Sequence, residues 1–282
     1  MSASTSPRGG GTAPGASQLL QPRVGRAIPR FTGLRSIGAL MLREMSTRYG
    51  RTPGGYVWAL VEPLGMILIL AYVWSLLARS PSLGTSFILF KATGYMVLQM
   101  FTVLGGQVGN ALSFSKPLLQ YPRVSWIDAI FARFALNALV VAVVAFVILS
   151  GVLIHEQIRT VLAWGPILMA MGLAAALGLG MGCLNCYLFR RFPVWNQVWA
   201  ILTRPLFLIS GVIVYYEAMP HQAQVILWYN PILHLTGMMR DGFYPIYRPE
   251  YISVTYVAVW ILVPMVVGLL LLRRHSLNLL YR

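Results

Sequence analysis

The chain has 282 residues, of which 57% are hydrophobic and only 10% are charged, yet its formal net charge is +15. A soluble globular protein is typically about 45–50% apolar and about 25% charged, so this composition argues against one. So much apolar surface excludes disorder over most of the chain, and a nucleic-acid binder would explain the charge but not a mean hydropathy of +0.69. The composition therefore indicates an integral membrane protein.

The N-terminal region divides into an arm and a helix. Residues 1–33 are rich in Gly, Ser, Pro and Arg, and they lack the apolar core of a signal peptide. We interpret them as a disordered, basic cytoplasmic arm. Apolar residues then recur at three- and four-residue spacing through 34–50, while Arg43, Glu44 and Arg48 take other faces. This pattern predicts an amphipathic helix at the membrane interface, with Glu44 on its polar side.

Six later stretches have the roughly 20 mostly apolar residues that a membrane-spanning helix needs. They lie at about 57–77, 87–110, 127–150, 161–189, 198–217 and 255–272. The fifth stretch is the weakest, because Arg204-Pro205 interrupts it, and a five-span count that merges or drops it stays open. The predicted fold is an all-α integral membrane domain over 34–282, with six transmembrane helices and the N-terminal interface helix.

The basic residues set the orientation of these spans. Fifteen Lys and Arg residues fall in the N-terminal segment, the second-to-third and fourth-to-fifth connections and the C-terminus, and five fall on the opposite side. Cytoplasmic loops carry an excess of Lys and Arg, so both termini are predicted to be cytoplasmic. Lys91 and Arg240 count among the five external residues in this prediction.

The long connection between spans five and six is aromatic and apolar. Four prolines divide residues 218–254 into pieces that are too short to cross a bilayer. Pieces of this length suggest short re-entrant or interfacial helices on the periplasmic side, here over 218–250. A gate over a transport pathway and an ordinary aromatic belt both fit this composition. The candidate gate residues are Trp228, Tyr229, Asn230 and Pro231.

The chain lacks the motifs of several enzyme classes. A phosphate-binding loop needs Gly-Lys-Ser/Thr, and the two lysines here, Lys91 and Lys116, follow Phe90 and Ser115. The four histidines are scattered, so we predict no protein-bound metal. Cys183-x-x-Cys186 could serve redox chemistry, but its setting among glycines at helical spacing favours a helix-packing face.

We interpret two residues as membrane-embedded charges, Glu62 in the first predicted span and Arg204 in the fifth. Membrane-embedded charges mark functional sites by default. A single glutamate near the start of a span gives little support for a proton relay. Arg204 fits either snorkelling to cytoplasmic headgroups or contact with an anionic substrate that enters from the cytoplasm.

Three runs carry a resemblance to a known family. LREMSTRYGRTPGGYVWALVEPLG (42–65), RPLFLISGVIV (204–214) and LWYNPILHLTGMMRDGF (227–243) occur in this order with matching topology. Together they resemble permeases of the type-2 ABC exporter group, and more narrowly the capsular-polysaccharide export permeases of Gram-negative bacteria. The resemblance covers about residues 34–275.

The resemblance implies a homodimeric inner-membrane permease that binds no cofactor and works with two separate nucleotide-binding subunits carrying ATP and Mg²⁺. It implies export of a lipid-linked acidic polysaccharide through a channel between the two permeases. It also implies a periplasmic adaptor or co-polymerase that leads to an outer-membrane conduit. Residues 218–250 become gate helices, and part of 111–126 becomes a coupling helix that touches the ATPase.

Arginine suits acidic groups because its planar fork bonds two oxygens, and aromatic rings suit sugars. The candidate substrate residues are Arg43, Arg48, Arg51, Tyr56, Trp58, Glu62, Tyr72, Trp74, Arg204, Tyr215 and Tyr216. The candidate coupling residues, in a short segment with two prolines, are Lys116, Pro117, Tyr121 and Arg123. Lipid-facing anchoring is the alternative for Tyr56 and Trp58, and an ordinary interfacial turn is the alternative for the coupling segment.

Rival functions remain open at this point. A permease of the same group could move an O-antigen, a teichoic acid or a drug. An integral-membrane enzyme acting on lipid-linked sugars is a rival from another class. Such an enzyme needs acids or histidines clustered on one side, whereas the seven acids here are dispersed.

Overall fold

The computed structural model describes residues 32–48, 54–115, 125–158 and 160–280, and this part of the chain is helical without a strand. Its helices are α1 (Thr32–Arg48), α2 (Gly55–Leu77), α3 (Phe87–Gly109), α4 (Ala111–Ser115), α5 (Trp126–His155), α6 (Trp164–Arg191), α7 (Trp195–Ile209), α8 (His221–Leu227), α9 (Pro231–Phe243) and α10 (Val254–Leu280). A single 3-10 turn, Tyr216–Ala218, lies between α7 and α8.

Five of these helices are long and apolar enough to cross a membrane. They are α2, α3, α5, α6 and α10, with candidate spans at Val57–Leu77, Phe87–Gly109, Trp126–His155, Trp164–Arg191 and Val254–His275. Five of the six predicted spans are therefore present as helices close to the predicted positions. The predicted fifth span, 198–217, is not one continuous helix, because α7 has only 15 residues and ends at Ile209.

The break in the fifth span does not lie where the sequence suggested. Pro205 sits inside α7, and the helix continues past it for another turn. The chain leaves the helix at Ser210 and Gly211, and Gly211 has a φ of +76°, which L-residues rarely adopt. A left-handed glycine just past the last helical turn is a frequent way for a helix to end.

The centre of the fold is α6, which packs against α3 on one side and α10 on the other. Small residues allow these close approaches. A Cβ added at Gly178 or Gly182 would lie 2.7 or 2.6 Å from the Cβ of Leu104 or Val108 on α3. A Cβ at Gly180 would lie 2.5 Å from the carbonyl oxygen of Ile261 on α10. The predicted packing face around the two cysteines, which are free and buried, is confirmed.

Helix α1 packs against α5, and this contact corrects the prediction for its polar side. Glu44 is buried rather than solvated, and its Oε1 lies 3.5 Å from Nε of Arg133 on α5. Leu42, by contrast, is exposed. The sequence pattern could not reveal this, because Arg133 lies about 90 positions away in the sequence, on a helix that reads as a membrane span.

Two short helices follow the break, as the prolines predicted. Pro220 precedes α8, and Pro231 occupies the first position of α9, where its missing N–H costs no hydrogen bond. Helix α9 is buried on all sides from Ile232 to Arg240 and packs against α3 and α6. Helix α9 is therefore part of the protein core, whereas α8 has no buried residue.

Candidate substrate path and outer gate

One stripe of α2 carries three of the predicted substrate residues. Trp58, Glu62 and Tyr72 recur at helical spacing on one exposed side of α2, with Trp58 64% and Tyr72 67% exposed. Trp74 lies on the opposite face of α2, with its ring 4.4 Å below the ammonium of Lys91. The side chain of Tyr56 lies outside the described part. The stripe mixes polar and aromatic groups within an otherwise apolar helix.

Two cavities open beside this stripe. Glu62 lines a cavity of about 80 Å³ together with Gln99 of α3 and Asn137 of α5. Tyr72 lines a larger cavity of about 480 Å³, which also includes Ser75 and Glu156. The polar groups on α2 therefore adjoin room for polar ligands at two levels of the helix.

Arg204 lies on α7, away from both of these cavities. Its side chain is exposed. Helix α3 packs against both α2 and α7, and Tyr95 of α3 meets Phe207 of α7 edge to face at 6.4 Å. A single chain therefore places the predicted substrate residues of the two helices on outward surfaces and does not gather them into one cavity.

Tyr215 and Tyr216 lie beyond α7 and not on the fifth span, which corrects the prediction for them. Tyr216 stacks on Tyr251 at 4.1 Å, and Tyr215 meets Tyr247 edge to face at 6.2 Å. Tyr247 donates a hydrogen bond of 2.9 Å to Oε2 of Glu217. Burial raises the pKa of Tyr247, and Tyr251 and Glu217 beside it raise it further, so its hydroxyl remains a donor at neutral pH. These tyrosines hold the outer connection together.

The carbonyl groups exposed by the break after α7 are satisfied by side chains from neighbouring helices. Asn230 donates to the carbonyl oxygen of Ile209 and to Oγ of Ser210, at 3.1 and 3.0 Å. Thr236 donates to the carbonyl oxygen of Ser210 at 2.9 Å. Asn230 also caps α9 by accepting from the N–H of Ile232. This predicted gate residue thus ties the start of α9 to the broken segment.

Two buried basic residues, which the sequence did not indicate as site residues, lie beside the segment that follows α7. Lys91 and Arg240 were counted with the external loops, but each is 1% exposed. Nζ of Lys91 donates to the carbonyl oxygen of Ile213 at 2.7 Å, and the guanidinium of Arg240 lies 3.9 Å from the Phe90 ring centroid. The signal for Lys91 was available, since it lies four residues inside the second predicted span.

An aromatic cluster fixes the other predicted gate residues. Trp228 packs against Tyr229, His234 and Tyr256, and its Nε1 donates to the carbonyl oxygen of Tyr251 at 3.2 Å. The N–H of Ser253 donates to Nδ1 of His234 at 3.2 Å, so the other ring nitrogen carries the proton and donates to the carbonyl oxygen of Trp228 at 2.8 Å. His234 therefore joins the end of α8 to the start of α10.

At the other end of the fold, Arg133 joins three helices to α5. It pairs with Glu44 of α1, donates to Oε1 of Gln107 on α3 at 2.8 Å, and lies 4.4 Å from the Phe114 ring centroid on α4. Helix α4 leads directly into the predicted coupling segment. A displacement of that segment would therefore reach α1, α3 and α5 through one side chain.

The other predicted site residues are described only in part. Arg43 is half-buried on α1, and Arg48 ends that helix with its side chain outside the described part. The predicted site residues that lie wholly outside the described part are Arg51, Lys116, Pro117, Tyr121 and Arg123. Among the described residues, no group of three or more His, Cys, Asp or Glu side chains could hold a metal ion.

The helical spans, the broken α7 and the short helices after it are the features of a membrane permease. The profile of the ABC-2 type transporter family matches residues 35–244. The chain therefore belongs to the ABC-2 type transporter family.

Its relatives include two capsule polysaccharide export inner-membrane proteins and a polysialic acid transport protein. The chain is 29% identical over 250 residues to the capsule polysaccharide export inner-membrane protein BexB of Haemophilus influenzae, covering 86% of this chain and 91% of the relative. It is 30% identical over 249 residues to CtrC of Neisseria meningitidis serogroup A, with the same coverage. It is 28% identical over 241 residues to the polysialic acid transport protein KpsM of Escherichia coli, covering 86% and 93%.

Proposed function

We propose that this chain is the transmembrane subunit of an ATP-driven exporter that moves a lipid-linked acidic capsular polysaccharide across the inner membrane. The observation that carries the proposal is the family match over 35–244 together with capsule-export relatives that align over nearly their whole length. The chain has no Gly-Lys motif, so ATP hydrolysis falls to a separate nucleotide-binding subunit.

In this proposal the channel lies between two copies of the chain. The outward stripe of α2, which includes Glu62 and Tyr72, supports it, because polar groups in a spanning helix face water or protein in preference to lipid. Arg204 on α7 is exposed in the same way. A second copy would enclose these surfaces, which one chain leaves open.

In this proposal the chain also crosses the membrane six times, with both termini in the cytoplasm. The 15 residues of α7 cover about 22 Å at ~1.5 Å per residue. This length is short of the ~30 Å of a bilayer core, and in this proposal the turn and bends at residues 210–214 complete the crossing. Non-helical backbone at membrane depth is tolerated where protein covers it, and Ser210, Gly211 and Val212 are buried.

The decisive experiment reconstitutes the chain with its cognate ATPase in proteoliposomes and measures ATP-dependent movement of a lipid-linked acidic polysaccharide. We expect movement with active ATPase and none with an ATPase variant that binds but does not hydrolyse ATP. If the chain purifies alone and no ATP hydrolysis depends on it, the proposal is wrong. Sugar transfer by the isolated chain would point instead to an enzyme acting on lipid-linked sugars.

A variant of Arg204 tests the arginine contribution in the same assay. Arg204→Ala should lower transport several-fold while leaving assembly with the ATPase intact, because it removes a donor for acidic groups. Arg248→Ala is the matched control, since Arg248 is exposed on the outer connection. Equal transport by both variants would assign Arg204 to headgroup contact alone.

A further inference from the structure

Lys91 and Arg240 bring two positive charges into the core beside the broken segment. Both are 1% exposed, and both lie against the ring of Phe90, at 5.1 and 3.9 Å from its centroid. Among the described residues, the ion pair found is that of Glu44 and Arg133, and neither Lys91 nor Arg240 forms a salt bridge. The nearby carboxylate of Glu217 belongs to an exposed residue and accepts the hydroxyl of Tyr247.

Neutral acceptors satisfy only part of the hydrogen-bonding capacity of Lys91 and Arg240. The ammonium of Lys91 bonds the carbonyl oxygen of Ile213 at 2.7 Å, and Nη2 of Arg240 reaches the carbonyl oxygen of Phe90 at 3.5 Å. Nε of Arg240 is buried without a hydrogen-bond partner. A guanidinium has five N–H donors, and buried charges are normally paired with an opposite charge. The site therefore has unused capacity for an anion.

The broken segment is the cover over this site. A Cβ on Gly211 would lie 3.8 Å from Nη1 of Arg240, and a Cβ on Gly94 would lie 3.1 Å from Nη2. The guanidinium is thus wedged between α3 and the segment 210–213. That segment lies outside α7 and turns at a left-handed glycine, and side-chain hydrogen bonds from Asn230, Thr236 and Lys91 hold it in place. It is the part of the outer region whose displacement would uncover both cations.

We propose that Lys91 and Arg240 form an anion site that takes a carboxylate or phosphate group of the exported polymer as it reaches the outer gate. The carbonyl oxygen of Ile213 holds the position of one acidic oxygen while the gate is closed. When an acidic group arrives, it replaces that carbonyl on Lys91 and bonds the unused Nε–H of Arg240, and the segment 210–213 is released. This inference rests on the proposed function and names the chemistry that opens the gate.

In this exchange both basic side chains keep or gain an acceptor, while the carbonyl oxygen of Ile213 loses its donor and turns to water in the opened gate. Lys91 loses one carbonyl acceptor and gains a charged one, and Arg240 gains an acceptor that it lacked. The bond from an ammonium to a carbonyl is already charge-assisted, but a carboxylate or phosphate adds the attraction between opposite charges, which is strong in a buried site. A neutral sugar offers only hydroxyl oxygens and would not displace the carbonyl. Passage of acidic polymers is therefore favoured at the gate as well as at the entrance.

The test measures the exposure of the segment itself. Val214→Cys is introduced with Cys183→Ala and Cys186→Ala into the full chain, in nanodiscs of phosphatidylcholine, and its reaction rate with a membrane-impermeant maleimide is recorded. We expect oligogalacturonate to raise the rate several-fold and a neutral maltooligosaccharide of the same length to leave it unchanged. Parallel samples with inorganic phosphate and with phosphatidylglycerol nanodiscs identify a phosphate source, and a response to either anion supports the site.

Two variants separate this role from simple support of the fold. Lys91→Met should abolish the response to acid, whatever its basal rate, whereas Lys91→Arg should retain it. Equal rates with acidic and neutral oligosaccharides in the unaltered site, or a full response in Lys91→Met, would overturn the inference. Because this assay needs no ATPase, a negative result here leaves the transport proposal standing, and failed transport with a positive result would refute that proposal alone.

Discussion

Gly211 shows how one residue determines the shape of the fifth segment. Its φ of +76° is available to glycine at little cost, whereas an L-residue in this conformation loses about 1–2 kcal/mol. The space around it is also closed, because an added Cβ would lie 2.8 Å from Cδ1 of Leu233 and 2.9 Å from Oγ1 of Thr236. Backbone geometry and packing therefore both require glycine at the point where α7 ends.

Gly211→Ala should lower the free energy of unfolding by more than the ~1–2 kcal/mol of backbone strain, because the methyl group also pushes on Thr236 and Leu233. Gly54→Ala is the matched control. Gly54 has nearly the same φ, +77°, but among the described residues its added Cβ would come no closer than 3.9 Å, to Cβ of Val57. Thermal unfolding of the two variants in detergent compares them, and equal shifts would contradict the packing argument.

The elements of this protein were predictable to the extent that they follow from local pattern. Apolar length alone located five spans, and proline placement located α8 and α9. The predicted span 198–217 extended past the end of α7, because the apolar run continues beyond Ile209, whereas the helix accommodates Pro205 and stops just before a left-handed glycine. Contacts between distant segments, such as Lys91 with Ile213, leave no periodic trace in the sequence and could not be predicted.

The candidate site residues were likewise predictable only where local pattern determines their position. Trp58, Glu62 and Tyr72 share an outward stripe because helical spacing alone places them there. Tyr215 and Tyr216 were placed on the fifth span, but they follow the end of α7, and their contact with substrate stays a prediction. Arg240 went unnoticed because the sequence around it reads as an external connection, and only the packing of α9 into the core shows that it is buried.

The contact between α1 and α5 includes a buried ion pair, Glu44 with Arg133, whose contribution to the free energy of unfolding can be measured. Removing one member of such a pair leaves an uncompensated buried charge and typically costs about 3–5 kcal/mol. Glu44→Gln and Arg133→Met should therefore each destabilise the protein by about this amount. The double variant should lose less than the sum, since no lone charge then remains.

Thermal unfolding of the two single variants and the double variant supplies the cycle. Glu62→Gln is the control, because Glu62 is exposed on α2 and should change stability little. Strict additivity of the two single effects would show that Glu44 and Arg133 are not energetically coupled. Arg133→Lys adds a further comparison, as it keeps the charge but loses the planar fork that reaches Gln107.

The whole molecule has two kinds of outward surface, and they differ in composition. The exposed face of α5 is apolar throughout, with Leu139, Val143 and Phe146 in succession, as a lipid-facing surface requires. The exposed stripe of α2 instead interrupts apolar residues with Glu62 and Tyr72. A membrane-embedded carboxylate is stabilised by water or a protein partner, so the α2 stripe is the surface expected to meet a second copy across the channel.

Cross-linking distinguishes these surfaces in the intact membrane. Ile69→Cys and Phe146→Cys are matched, because the two side chains are 61% and 63% exposed on α2 and α5. In a background with Cys183→Ala and Cys186→Ala, a short bismaleimide should join two copies through position 69 and not through position 146. A dimer band from both positions would indicate random collision, and a band from neither would place the channel elsewhere. Dimer formation at position 69 alone, with ATPase assembly retained, would place the polar stripe of α2 where an exported polymer passes between the two permeases.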